Sequence, residues 1–73
     1  MAQQTPATLI RLHRLVKGMS QGVTARAAGR SQAWLSQLEL GYRAPTQSDL
    51  ERIARVLDVA PTDLMTDDDP EAA

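Results

Sequence analysis

The sequence predicts an all-α domain of five short helices, and three observations carry that prediction. No stretch alternates apolar and polar residues with period two over the length of a strand. Phe is absent, so a β-sheet has little to be built from. Residues suited to starting helices (Ser, Thr) and to stopping them (Gly) recur at helical spacing along the chain.

Helix one is predicted from an N-cap at Thr8 to Lys17, with Gly18 free to take the left-handed stop position. Helix two runs from Gln21 to Ala28 behind a Ser20 cap and ends at Gly29. Helix three follows at once, capped by Ser31 and ending before Gly41. Helix four has the strongest entry signal: Pro45, then Thr46 with Asp49 three residues on, which is close to a capping box. Leu50, Ile53, Ala54 and Leu57 then repeat at i, i+3, i+4, i+7. The fifth helix, Pro61 to Met65, uses proline in its first turn, where the missing N–H costs nothing.

The 73 residues make one small domain, 8–65, between a polar segment 1–7 and an acidic segment 66–73, both expected to be flexible. With no cysteine, the fold stands on packing alone. No apolar run reaches the roughly 20 residues of a membrane span, and MAQQTPAT has no signal-peptide character, so a soluble, cytoplasmic chain is expected. The net charge of −1 hides an asymmetry. Residues 1–55 carry all eight Lys and Arg against Glu39, Asp49 and Glu51, for +5, whereas residues 56–73 carry six acids and no base, for −6. A basic body favours an anionic partner, although solubility alone could also account for it. The acidic end reads either as a solubilising segment or as a competitor for the basic surface.

Catalysis is poorly supported. There is one histidine, no metal-binding helix motif and no glycine-rich loop after a strand, so no enzyme activity, cofactor or metal is expected. The run Asp67, Asp68, Asp69 lacks the fixed geometry of a cation site.

The stretch SQAWLSQLELGYRAP, residues 31 to 45, is more informative. Its helix follows helix two across a link too tight for an antiparallel loop and containing Gly29, the spacing of a helix-turn-helix, though small bundles also pack on glycine turns. At 100° per residue Leu35, Leu38 and Glu39 share one side. Ala33, Ser36 and Gln37 share the other, with Gln32 and Trp34 on the flanks. Glutamine matches the donor and acceptor of the adenine edge, serine serves either role, and alanine can touch a thymine methyl. An ordinary solvated face would carry Lys and Glu instead.

From Ser20 to Pro45 the chain resembles the Xre/Cro-like helix-turn-helix family, the phage lambda repressor-like proteins. Ser20, Gln21, Ala25, Gly29, Ser31, Glu39, Gly41 and Pro45 fit its register, and LERIARVLDVAPTDLM is similar to its last two helices, so the resemblance spans about residues 9 to 65. It implies a lambda repressor-like fold and residue roles. Gln21 would bond a phosphate at a helix N-terminus. Gln32, Ala33 and Gln37 would face base edges, Ser36 and Trp34 would sit against the sugar–phosphate backbone or a groove wall, and Arg43 would reach a phosphate. Arg14 and Glu39 match a partly buried structural ion pair. Thr24, Arg30 and His13 depart from the family's apolar preferences, which predicts a looser core near helix two. His13 and Trp34 both have plain readings as packed residues.

The function these features imply is a sequence-specific double-stranded DNA-binding transcriptional regulator, a repressor by its small size, without cofactor. The runner-up is a helical protein-interaction adapter, antitoxin-like, without DNA affinity. Leu9, Ile10, Leu12, Leu15, Val16 and Met19 cover more of helix one than one core face needs, and a second apolar surface is expected around Val56, Val59, Leu64 and Met65. A homodimer is expected through the second of these, on a near-palindromic operator, and a protein partner through helix one is the alternative.

Overall fold

The computed structural model describes residues 5–65. Helix α1 spans Pro6–Val16, α2 Gln21–Ala27, α3 Gln32–Glu39 and α4 Gln47–Leu57, and a 3-10 turn covers Pro61–Leu64. There is no strand among the described residues. The fifth predicted helix is thus a single 3-10 turn, too short for α-helical bonding. Residues 1–4 and the acidic segment 66–73 lie outside the described residues.

Every α-helix opens in the same way. Thr5, Ser20, Ser31 and Thr46 have extended backbones, and each hydroxyl oxygen accepts from the N–H three residues on, at 3.0–3.2 Å. At α4 the reciprocal bond from Thr46 N–H to Asp49 Oδ2, 3.0 Å, completes the capping box. The start of α1 corrects the expectation. Thr5 rather than Thr8 is the cap, because Pro6 suits the first helical position, and so residues 6 and 7 are helical instead of belonging to a flexible leader.

The stops also repeat. Past α2, Gly29 takes φ +77° and lets the Arg30 N–H reach the Ala25 carbonyl at 2.8 Å; past α3, Gly41 at φ +80° brings the Tyr42 N–H to the Gln37 carbonyl at 2.9 Å. Asp58 plays the same part after α4 at φ +59°, with Val59 N–H on Ala54 carbonyl at 3.0 Å.

The core joins Ile10 of α1, Ala25 of α2, Trp34, Leu35 and Leu38 of α3 and the predicted α4 stripe of Leu50, Ile53, Ala54 and Leu57. Leu64 closes it where the 3-10 turn meets α1 and α4. Leu64 therefore belongs to the core rather than to a second apolar surface, and Val56, Val59 and Met65 pack partly against it. Exposed apolar side chains lie instead on α1, where Leu12, Leu15 and Val16 are exposed while Leu9 and Ile10 are buried, and at Val23, Leu40 and Tyr42. Thr24, expected to loosen the core, is fully buried, but its hydroxyl donates to the Ser20 carbonyl at 2.8 Å and leaves no unpaired polar group.

Two substitutions test the helix ends by chemical denaturation at constant m-value. Thr46→Ala removes the capping hydroxyl and lowers stability by about 1–2 kcal/mol. Asp58→Gly relieves a left-handed non-glycine residue and raises stability by about 0.5 kcal/mol.

Candidate nucleic-acid interface

The link from α2 to α3 consists of four residues, 28 to 31, and the Gly29 stop and Ser31 start are both satisfied within it. This turn presents α3 with its leucines inward and Gln32, Ala33 and Gln37 exposed. Ser36 is half-buried, on a depression it shares with Arg11, Gln21 and Leu40. Gln32 leans back over α2, its Oε1 3.7 Å from where a side chain at Gly22 would begin.

Gln37 is held at both its oxygens. Its carbonyl accepts from the N–H of Tyr42 at 2.9 Å and of Arg43 at 3.3 Å, and its side-chain Oε1 accepts from Arg43 Nε at 3.2 Å. Arg43 therefore meets Gln37 directly, a pairing that helical spacing does not foretell. Gln21, predicted to face a phosphate, is half-buried and donates its amide Nε2 to Glu39 Oε1 at 3.0 Å. One side-chain N–H and the backbone N–H of the first turn of α2 stay outside that bond.

Trp34 departs from expectation. It is 9% exposed and packs in the core, so it does not present a groove wall. Arg30 lies over its ring, the guanidinium carbon 5.4 Å from the ring centroid and Nη2 3.9 Å from Asp49 Oδ1. Arg30, noted in the sequence only as a departure from an aliphatic preference, thus clasps the turn to α4. Two further residues escaped the sequence reading. Arg52 donates Nη1 to the Ala28 carbonyl at 3.2 Å, at the negative end of α2. Tyr42 is 80% exposed directly after Gly41. Its signal was available, since an aromatic inside a turn has no core to join.

Behind this face, Arg14 and Glu39 form the predicted pair. Nε donates to Oε2 at 2.7 Å and Nη2 to Oε1 at 3.0 Å, while Nη1 caps the Met19 carbonyl at 2.8 Å. The side chains are 10% and 2% exposed. Hydrogen bonding to Glu39 raises the Arg14 pKa above its ordinary value against the opposing effect of burial, with the carboxylate's charge adding to the rise. The seven other cations, Arg11, Lys17, Arg26, Arg30, Arg43, Arg52 and Arg55, are all exposed.

A family model described as a helix-turn-helix domain matches residues 7–66. The chain belongs to this family. Among solved structures, a hypothetical transcription factor from Neisseria, NHTF, is similar at 33% identity and TM-score 0.78, over 82% of this chain and 69% of that one. The DNA-binding domain of the P22 c2 repressor superposes at TM-score 0.82 and 25% identity, over 88% and 84% of the two chains. The P22 c2 repressor in complex with a synthetic operator matches at TM-score 0.78 and 24% identity, over 85% and 94%. Among curated proteins none matches the chain. The lambda repressor-like fold implied by the sequence is therefore the fold observed, and this helix-turn-helix domain has the scaffold of repressor DNA-binding domains. No helix of the described residues is long and apolar enough to cross a membrane.

Truncating one member of the buried pair strands the other. Glu39→Ala is expected to cost about 3–5 kcal/mol, a large share of the roughly 5–15 kcal/mol that holds a small domain together. The double replacement Arg14→Met with Glu39→Leu should recover most of that loss. Urea midpoints of the two variants and the parent check both statements.

Proposed function

We propose that this helix-turn-helix domain is a transcriptional regulator that binds double-stranded DNA by laying α3 in the major groove. The observation that carries the reading is the exposed side of α3: Gln32, Ala33 and Gln37 are base-reading types held on a rigid helix behind a glycine turn. The exposed cations and the likeness to an operator-bound repressor support it. Gln32, Ala33 and Gln37 contact base edges. Gln21 and Arg43 contact phosphates, Gln21 through the N–H groups left by its bond to Glu39. Ser36 approaches the sugar–phosphate backbone from its half-buried position. Trp34 acts indirectly, by carrying Arg30 toward the DNA side of the turn. The regulator acts in the cytoplasm, by occupying an operator and excluding polymerase rather than by catalysis. As a homodimer it presents two copies of α3 to half-sites about 34 Å apart.

A second reading has one observation of its own. The exposed Leu12, Leu15 and Val16 stripe of α1 suits a protein partner, as an adapter without DNA affinity would require. Titration with duplexes at increasing salt separates the two. A DNA binder loses about 0.9 log units of affinity per tenfold salt for each phosphate neutralised, whereas an adapter binds little at any salt. On the duplex enriched by selection from a randomised library, Gln37→Ala should narrow the advantage over random sequence by about 5–150-fold, the range of one base contact. Equal losses on both duplexes would remove Gln37 from base reading. Sedimentation showing only monomer at high micromolar concentration, with and without DNA, would remove the homodimer.

A further inference from the structure

The bond between Arg43 and Gln37 has a chemical consequence for which base Gln37 can read, given the proposal above that α3 reads bases. A free glutamine pairs with adenine through both ends of its amide, Oε1 accepting from the adenine amino group while Nε2 donates to N7. Here Oε1 already accepts from Arg43 Nε at 3.2 Å. The pairing is not a chance meeting of two long side chains. The left-handed residue Gly41 turns the chain back over the last turn of α3, and the N–H groups of Tyr42 and Arg43 both bond the Gln37 carbonyl, at 2.9 and 3.3 Å. The backbone of Arg43 is thereby fixed beside Gln37, and its side chain has only to lie along the helix to reach Oε1.

We infer that Arg43 is a specificity-determining positioning residue, which turns the Gln37 amide so that Nε2 faces outward and directs it to guanine instead of adenine. Two effects act in the same direction. One lone pair of Oε1 is occupied and its side of the amide is covered by the guanidinium. A cation at that place also repels the amino donor of adenine and attracts an edge that offers acceptors only, which among purines is guanine with N7 and O6. Arg43 keeps its other N–H groups for a phosphate, so it joins backbone positioning to base choice.

The test is selection of bound duplexes from a randomised library with the parent protein, Arg43→Ala and Gln37→Ala. Gln37 and Arg43 are both exposed and outside the core, so the variants keep the fold, which thermal midpoints verify. The parent should enrich guanine over adenine at one position per half-site by about 5–150-fold, the span of a single base contact. Arg43→Ala should switch that position to adenine as well as weakening binding to all duplexes, and Gln37→Ala should leave it without preference. If the Gln37-dependent position holds any base other than guanine in the parent, or the same base in Arg43→Ala, the positioning role is overturned while base reading by Gln37 stands. If Gln37→Ala changes no position, or the parent enriches no sequence, the DNA-reading proposal itself fails and this inference with it.

Discussion

The salt bridge between Arg14 and Glu39 is the interaction on which the geometry of this domain depends. It joins the C-terminal part of α1 to the last residue of α3, and through Gln21 Nε2 on Glu39 Oε1 it also takes in the first turn of α2. A third bond, from Arg14 Nη1 to the Met19 carbonyl, ties in the link between α1 and α2. Burying two charges in so small a core is expensive, and apolar side chains of equal volume often do as well or better for net stability. Two parallel N–H donors on two carboxylate oxygens fix the direction of approach as well as the distance. The exposed side of α3 is thereby tied to the start of α2.

Short helices make the second constraint. None of the four exceeds 11 residues, a length at which an isolated helix is marginal in water. Each is therefore closed at both ends, by a hydroxyl at its start and by a left-handed turn at its end. These ends also serve the candidate site. The stop of α2 and the start of α3 set the two helices close together, and the stop of α3 returns Arg43 to Gln37. Stability and geometry are thus supplied by the same few backbone bonds.

Much of this was legible in the residues. The α4 stripe, the glycine stops, the caps at Ser20, Ser31 and Thr46, and the polar face of α3 all follow from local periodicity and local chemistry. The failures share a cause. Thr5 and Thr8 are equally good caps in isolation, and the choice falls to Pro6 between them. Asp58 stops α4 although only glycine advertises a left-handed turn. Trp34 sits at the edge of the helical wheel, where angle alone does not fix depth. Its depth is set by the core residues of other helices among which it packs. Leu64 and the Arg43–Gln37 bond depend on where a turn returns the chain. Spacing along one helix carries none of that.

The same tertiary contacts bear on why seven of the eight cations are arginines and only one is lysine. Arg30 rests on Trp34 beside Asp49, Arg43 donates to Gln37 and Arg52 to the Ala28 carbonyl. Arg43 and Arg52 each spend one N–H on the protein and Arg30 lies over an aromatic ring, so all three keep further N–H donors. A lysine ammonium in the same place would be a point charge on a freer stem. Ordering a long side chain on binding costs about 0.5–1.5 kcal/mol. An arginine already lying against its own domain has met part of that cost during folding. The exposed guanidinium groups are in this respect partly ordered in the folded domain, a property that a net charge of −1 over the whole chain conceals.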